Sequence, residues 1–298
     1  MLQFKSLKIE DKALFNSYLA GRRYDLATYN FTSFFLWKDW DPYSYLELDG
    51  ALCVKSDFFG WDAVLVPISP DDQIVLAATE HLIDWYKKRG VPFLLTGVSQ
   101  EMVDLYEKAW PDRFIATEFP GGFNYVYYQQ ELAVLHGKKF RNKRNHISAF
   151  LRDNDNYEFI PLNQDSLPEV KKYLTGWYKH HLLSDDLVWE RFGLMQGLEV
   201  FTQLDCIGIC LLINDKIEAI TCGEELNEDT FMVHIEKGNT DIRGIYPFLN
   251  QQFVVKHCED YTYINRMEDM DQANLRKAKK SYHPCKMIKK YHLSLRND

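Results

Sequence analysis

The chain has 298 residues, 46% of them hydrophobic, and a formal net charge of −8. Its length suits two domains of ordinary size, and its hydrophobic content excludes a disordered chain because each half can bury a core. The acidic balance argues against a general binder of DNA or of membranes, since non-specific binding to phosphates follows broad positive fields.

The N-terminus and the distribution of apolar residues predict a cytoplasmic protein. The first fifteen residues, MLQFKSLKIEDKALF, include charges and lack the uninterrupted apolar run of a secretory signal. No stretch approaches the roughly 18 consecutive apolar residues that a membrane-spanning helix needs. The six cysteines form no CxxC pair, so we expect buried core thiols and no metal ligands, with a metal or redox site as the alternative.

The first half of the chain alternates predicted strands and helices. Asp49 and Gly50 separate two β-rich runs, residues 43–48 and 51–56, which predicts a hairpin. Apolar residues recur at helical spacing over residues 71–89, and a glycine follows where a C-terminal cap belongs. The remaining predicted elements of this half are a buried strand at 92–98, a helix at 100–110 and an aromatic strand at 123–129.

The second half is predicted to repeat this architecture, with three consecutive strands at its centre. The predicted strands cover 157–161, 204–213, 216–225, 229–237 and 261–265, and the predicted helices cover 165–182, 187–198, 241–257 and 272–281. A natural division lies near residues 130–153. We therefore predict one domain at residues 1–135 and a second at residues 136–298.

Basic residues are concentrated in two short segments. The first basic segment, residues 138–152, contains six Lys and Arg residues and no acid, and the second basic segment, residues 276–297, contains eight and no acid. The rest of the chain carries 21 basic and 43 acidic residues. Such localised positive charge predicts a defined anionic ligand, such as a nucleotide-bearing cofactor or one end of a larger anion.

The first basic segment is predicted to form an amphipathic helix. Projected at about 100° per residue, Phe140, Ile147 and Leu151 share one face. The opposite half of the helix carries Lys138, Arg141, Asn142, Asn145 and His146. The apolar residues would anchor the helix with its cations displayed, and the alternative is an ordinary solvated helix between domains.

A predicted strand, a glycine-bearing loop and a helix follow one another over residues 230–257. Strand alternation places His234 and Glu236 on the same face. Backbone amides at the start of a helix, next to an arginine, form a ready site for an anion. The loop residues expected at this site are Gly238, Arg243 and Gly244.

The order of these elements resembles the GNAT-type acyltransferase fold, in which that loop holds a cofactor pyrophosphate. The whole chain resembles more specifically the bacterial family related to the C-terminal domain of phosphatidylglycerol lysyltransferases, which is built from two such domains in tandem. Two blocks carry the resemblance, GKKFRNKRNHI at 137–147 and INRMEDMDQANLRKAKKSYHP at 264–284. It implies an α/β (α+β) fold of two tandem GNAT-like domains, each a mixed, mainly antiparallel sheet flanked by helices.

The second block departs from the family pattern, which commonly reads Asn-Arg-Glu-Gln-Asp-Leu-Gly. Asn265, Arg266 and Asp269 match that pattern, whereas Met267 replaces Glu and Asp271 replaces Gly. The departures put any role of the missing Glu in doubt and leave the Arg and the Asp as candidates.

The resemblance implies transfer of an acyl or aminoacyl group to an amine or hydroxyl. The implied donors are acyl-CoA and aminoacyl-tRNA, two polyanions that suit the basic segments, and an anionic lipid headgroup is a less direct carry-over. Glu236 and His234 are candidate bases and Tyr282 a candidate acid, with purely structural roles as the alternative. No DNA partner is expected.

The remaining candidates would bind the substrate and the donor. Arg266 and Asp269, with Asn265, would hold a substrate, and the alternative is a salt bridge that fixes the loop. The candidate donor-binding residues are Lys138, Lys139, Arg141, Lys143, Arg144, Arg243, Gly244, Lys277 and Lys279. Two other functions fit the same sequence: a catalytically inactive ligand-binding module and an RNA-binding protein.

Overall fold

The computed structural model describes residues 2–58, 60–181 and 185–296, which form two compact units. The first unit comprises Met1–Phe123 with Ile288–Asp298, and the second comprises Asn124–Met287. Each unit contains a mostly antiparallel seven-stranded sheet with helices, which confirms the predicted α/β class. Within the described ranges no helix is long and apolar enough to span a bilayer.

The first unit begins with ten helices and strands in chain order. They are β1 (Lys5–Ser6), α1 (Lys12–Leu19), α2 (Phe31–Trp37), β2 (Ser44–Leu48), β3 (Ala51–Phe58), β4 (Trp61–Leu65), α3 (Asp72–Arg89), β5 (Leu94–Val98), α4 (Gln100–Ala109) and β6 (Phe114–Glu118). The predicted hairpin is β2–β3, and its turn residues Asp49 and Gly50 both have positive φ. Gly90 ends α3 in the left-handed conformation, as predicted.

The second unit follows, and the chain then ends in two short strands. The elements are β7 (Asn124–Tyr128), α5 (Gln129–Val134), α6 (Arg141–Asp153), β8 (Tyr157–Pro161), α7 (Leu167–His181), α8 (Asp185–Glu199), β9 (Ile207–Ile213), β10 (Lys216–Asn227), β11 (Thr230–Gly238), α9 (Ile245–His257), β12 (Tyr263–Asn265), α10 (Ala273–Lys280), β13 (Lys286–Ile288) and β14 (Tyr291–Leu295). The strand orders are β1-β2-β3-β4-β5-β14-β6 and β13-β7-β12-β11-β10-β9-β8.

The two units divide the chain differently from the predicted boundary between residues 135 and 136. β7 pairs with β12, from Tyr128 opposite Tyr263 to Val126 opposite Asn265, and so belongs to the second sheet. β14 returns to the first sheet and pairs with both β5 and β6. The first unit is therefore discontinuous in sequence.

Two hydrophobic cores cover the two faces of the second sheet. One contains apolar residues of α6 and α9, and the other contains residues of α7 and α8. The predicted anchor of α6 is wrong at one position, because Leu151 is 43% exposed whereas Phe150 is fully buried and stacks on Phe248. Phe140 lies in a preceding 3₁₀ turn, so its angle does not set the face of the α-helix.

Candidate functional site

A β-bulge in β11 separates two residues that strand alternation placed on one face. Between the pairings of Val233 and Ile235 with β10, β11 contains one extra residue, His234. Val233 packs in the core with α6 and α9, whereas Ile235 packs in the core with α7 and α8. The predicted common face of His234 and Glu236 is therefore wrong, since a one-residue slip reverses the faces of a strand.

Glu236 lies in a polar cluster on the α9 side of the second sheet. Its carboxylate accepts hydrogen bonds from Asn250 of α9 and from Arg266, both at 3.0 Å. The side chains of Glu236 and Arg266 are 10% and 12% exposed, so they form a nearly buried ion pair. Arg266, predicted to act with Asp269, is thus held by Glu236.

This ion pair connects β11 to the residue that follows β12, just beyond the point where the pairing of the two strands ends. β11 and β12 pair in parallel over three positions that end at Met232 and Asn265. Arg266 directly follows β12, and Glu236 lies on β11 beyond the paired part. The Glu236–Arg266 pair therefore lies where the pairing of β11 with β12 ends, a position at which polar side chains can contact a ligand.

The guanidinium of Arg266 is enclosed by aromatic rings and keeps one donor unused. Its Cζ lies 4.6 Å from the ring centroid of Tyr282 and 5.8 Å from that of Tyr127. Burial is the largest single influence and lowers the pKa of Arg266, but the Glu236 carboxylate together with Tyr282 and Tyr127 outweighs it, so the pKa is raised. Its buried Nη1 has no hydrogen-bond partner among the described residues, so it is available to an acceptor atom of a ligand.

The two basic segments meet beside Arg266. Lys143 of α6 donates a hydrogen bond from Nζ to Oγ of Ser281 at 2.7 Å, and this Nζ lies 3.6 Å from the ring centroid of Tyr282. Burial, followed by the nearby charge of Arg266, lowers the pKa of Lys143 to about 8. The Lys143 side chain therefore exchanges between ammonium and amine near neutral pH.

The two other predicted acid–base residues are poorly placed for proton transfer. His234 is 1% exposed, and its Nε2 lies 2.7 Å from Oε1 of Glu224. Burial alone lowers the pKa of His234, but hydrogen bonds with Cys206 and Glu224 raise it to about 10, which makes its imidazole poorly suited to act as a general base. Tyr282 is 4% exposed, and burial raises its pKa, which makes it a weak acid that packs against Lys143.

Asp269 and Asn265 fix the loop that carries Arg266. The Asp269 carboxylate, 1% exposed, accepts hydrogen bonds from Tyr125 at 2.6 Å and from two nitrogens of Arg276 at 2.7 and 3.0 Å. Fully buried Asn265 accepts from the amide of Met267 at 2.8 Å. These contacts match the loop-fixing salt bridge that the sequence left open, although the partner of Asp269 is Arg276.

Several predicted donor-binding cations have partners within the protein. Lys139 pairs with Glu131 at 2.6 Å, and Arg144 donates to the carbonyls of Leu135 and Gly137. Lys279 is buried and donates to backbone carbonyls of the Arg266 loop, and burial lowers its pKa to about 7. The Lys279 ammonium, predicted to bind the donor, is therefore bound within the protein. Lys138, Arg141, Arg243 and Lys277 are exposed, as are Lys139 and Arg144.

The predicted anion loop before α9 is packed against the first basic segment. Gly244 caps α9 with φ of 85°, and a Cβ at this position would overlap the carbonyl oxygen of His146 in α6. Trp177 and Tyr246 both donate hydrogen bonds to the carbonyl of Gly238. Gly244 thus permits close packing of α6 on the start of α9.

Sequence reasoning missed Asn250 and Ser281, which complete the polar cluster. Asn250 is 1% exposed within an apolar helix, and a lone buried amide in an apolar pattern is a usable signal because it requires a partner. Ser281 offers no such signal, since its role depends on where α10 ends relative to α6.

Comparisons with known proteins identify the family and the fold of this chain. Residues 22–294 match the family described as Phosphatidylglycerol lysyltransferase, C-terminal. An uncharacterized protein of Mycoplasmoides gallisepticum is 24% identical over 171 residues, which cover 56% of this chain and 54% of that protein. The chain thus spans about half the length of this curated relative.

Three solved structures resemble the whole chain. A conserved protein of unknown function from Bacteroides thetaiotaomicron is 32% identical with a TM-score of 0.91, and the alignment covers 99% of this chain and 100% of that one. The L-PGS of Bacillus licheniformis is 15% identical with a TM-score of 0.69 and coverages of 100% and 95%. A tandem GNAT protein from the clavulanic acid biosynthesis pathway is 11% identical with a TM-score of 0.50 and coverages of 99% and 98%.

These likenesses confirm the tandem GNAT-like fold that the family resemblance implied. The family match extends over nearly the whole sequence and includes the blocks at 137–147 and 264–284. The chain therefore belongs to the phosphatidylglycerol lysyltransferase C-terminal family.

Proposed function

We propose that the second unit transfers an aminoacyl group from aminoacyl-tRNA to an amine or hydroxyl acceptor. Family membership supports acyl or aminoacyl transfer at a coarse level. The observation that carries the proposal is the junction of the two basic segments, where Lys143 reaches Ser281 and Tyr282 beside the ion-paired Arg266. This junction offers a polyanion two converging sets of cations next to a polar cluster.

Exposed cations on both segments supply the donor-binding surface. Lys138 precedes α6, Arg141 is the first residue of α6, and Lys277 lies on α10. All three side chains are exposed. The remainder of the chain is strongly acidic, so it repels nucleic acid and confines binding to these segments. Phosphates of the tRNA acceptor stem would contact these cations, with the aminoacyl ester directed towards Lys143.

The packing of Gly244 favours aminoacyl-tRNA over acyl-CoA. The start of α9, where the resemblance implied a pyrophosphate site, is pressed against the backbone of α6 at His146. A pyrophosphate there would compete with this helix contact. Phosphates bound along the outer faces of α6 and α10 meet no such obstacle.

Lys143 is the proposed proton-transfer group. Its neutral amine would take a proton from the acceptor amine or hydroxyl as that group attacks the ester carbonyl carbon. The ester C–O bond then breaks, and the Lys143 ammonium returns the proton to the departing tRNA hydroxyl. Nη1 of Arg266, which has no hydrogen-bond partner among the described residues, would stabilise negative charge on the carbonyl oxygen.

A binding experiment tests the donor. Fluorescence anisotropy with charged tRNA over a salt series should show binding that weakens steeply as salt rises, and Lys138→Ala with Lys277→Ala should lower the magnitude of the log–log salt slope by about 1 to 2. Lys172→Ala is the matched control, because its side chain is 79% exposed and lies outside both segments. Thermal stabilisation by acetyl-CoA without tRNA binding would overturn the choice of donor.

A pH profile tests the role of Lys143. Because Lys143 must be neutral to accept a proton, single-turnover loss of the aminoacyl group to an added amine or to phosphatidylglycerol should rise with pH and level off above about 8. Lys143→Arg keeps a cation but cannot release its proton, so this variant should bind tRNA and lose transfer by about 10²-fold or more. Transfer by Lys143→Arg with an unchanged pH profile would contradict this role.

A further inference from the structure

Three side chains with metal-binding atoms converge on the second unit at a place that the proposed reaction does not use. Cys206 directly precedes β9, Glu224 lies on β10, and His234 is the extra residue of the bulge in β11. The Cys206 Sγ, a Glu224 oxygen and a His234 ring nitrogen all lie within 4.8 Å of one another. Among the described residues this is the group whose ligand atoms converge in this way.

Oε1 of Glu224 lies close to both of the other ligand atoms of this Cys206–Glu224–His234 cluster. His234 Nε2 lies 2.7 Å from Oε1 of Glu224, and Sγ of Cys206 lies 3.8 Å from the same oxygen. The separation of thiol and carboxylate is close to that of two ligands on one tetrahedral ion, and the separation of imidazole and carboxylate would need to open by about half an ångström. Small side-chain rotations about Cβ supply such a change.

The cluster is buried and incompletely satisfied. The side chains of His234 and Glu224 are 1% and 6% exposed. Nδ1 of His234 is buried and has no hydrogen-bond partner within the described part of the chain, which is unusual for an imidazole. Cys206 is partly exposed, and its neighbours Asp205 and Ile207 are exposed, so an ion has a route to the cluster from the start of β9.

We propose that Cys206, Glu224 and His234 bind a zinc ion. A thiolate, an imidazole and a carboxylate are the three ligand types that zinc accepts, and three protein ligands leave one tetrahedral position. The site differs from the Arg266 cluster, because the bulge directs His234 away from Glu236.

The bulge gives a structural reason for a metal at this point. An extra residue interrupts the pairing of β10 and β11, and an ion held by Glu224 and His234 would cross-link the two strands across the interruption. Cys206 would add the segment that leads into β9. Three adjacent parts of the sheet would then share one ion, which stabilises the folded state by the binding free energy.

Metal analysis and cobalt substitution test the proposal on the full chain without an affinity tag. Mass spectrometry of bound metal should find zinc at one ion per chain. Co²⁺ should replace it and give the near-ultraviolet thiolate charge-transfer band together with strong visible bands of a tetrahedral ion. Cys206→Ala should lose the thiolate band, whereas Cys258→Ala, which removes a fully buried free cysteine elsewhere in the unit, should keep it.

A thiol-labelling experiment on the unmodified chain covers the case in which Cys206→Ala does not fold. Zinc should slow modification of Cys206 at least tenfold and leave Cys285 unchanged, as read by peptide mass spectrometry. Folded wild-type protein that binds neither zinc nor cobalt overturns the proposal. So does a thiolate band that survives Cys206→Ala, or labelling of Cys206 that zinc does not slow.

Discussion

Asp269 connects three parts of the second unit through one carboxylate. It receives hydrogen bonds from Tyr125 of β7, from Arg276 of α10 and from the amide of Asp271 in its own loop. Burial alone raises the pKa of Asp269, but the bonds from Arg276 and Tyr125 outweigh it and hold the pKa below its ordinary value. The charged form of Asp269 is therefore the one that stabilises the fold.

Asp269→Asn should lower the free energy of unfolding by about 2 to 3 kcal/mol at pH 7, because hydrogen bonds to a charged group are among the stronger ones. The folded pKa is depressed, so this contribution is complete above the unfolded value of about 3.9 and is lost as pH falls towards the folded value. Urea unfolding of both proteins should show a difference that shrinks below about pH 4. A constant difference across that range would show that the charge is not responsible.

The residue types of the candidate site could be predicted, but their pairing could not. Arg266 was identified by its match to the family block, and it lies at the centre of the polar cluster. The sequence suggested Glu236 as a catalytic base and did not predict that it forms an ion pair with Arg266. Side chains on neighbouring strands meet according to register, and a single extra residue in β11 changes which of them face each other.

At the scale of elements, hydrophobic periodicity predicted where helix α6 lies but not all of the residues on its buried face. The pattern of the first basic segment predicted the position of α6 and two buried residues, Phe140 in the preceding 3₁₀ turn and Ile147 in α6. It missed Phe150, because three residues of 3₁₀ helix precede α6 and change the angle between Phe140 and the rest. Hydrophobic periodicity assumes one helix type throughout, and a change of helix type leaves no clear mark in the sequence.

Gly244→Ala tests the contact between α6 and α9. Alanine at this left-handed position costs about 1 to 2 kcal/mol, and its Cβ must also displace the carbonyl of His146. The loss should therefore exceed that of Gly90→Ala, the control, where φ is also positive but nothing lies within 4 Å of the added atom. If both variants lost the same stability in thermal or urea unfolding, α6 would be able to move away from the added Cβ without any loss of free energy.

The discontinuous first unit is the feature of the whole molecule that sequence reasoning missed. The prediction divided the chain once, near residues 135 and 136, because the first basic segment begins there. β14, at residues 291–295, instead inserts between β5, at 94–98, and β6, at 114–118. Pairing between strands so far apart depends on tertiary contacts, which local periodicity does not report.

This topology predicts that a change near the C-terminus weakens the first unit. Leu293 of β14 is 1% exposed and lies opposite Leu95 of β5 and Ala116 of β6. Leu293→Ala should cost about 2 to 5 kcal/mol by leaving a cavity. Hydrogen exchange followed by mass spectrometry should show lost protection in β5 and β6, while β9 to β11 keep theirs.

Leu211→Ala is the reciprocal control, because Leu211 is fully buried in β9 of the second unit. It should lower protection in β9 to β11 and spare β5 and β6, since each core is packed within its own unit. If Leu293→Ala instead opened the strands of the second unit first, the C-terminal strand would stabilise that unit and the division of the chain would be wrong. Equal loss of protection in both units from either variant would mean that they unfold as one cooperative body, and the stability of the candidate site would then depend on β14 as well.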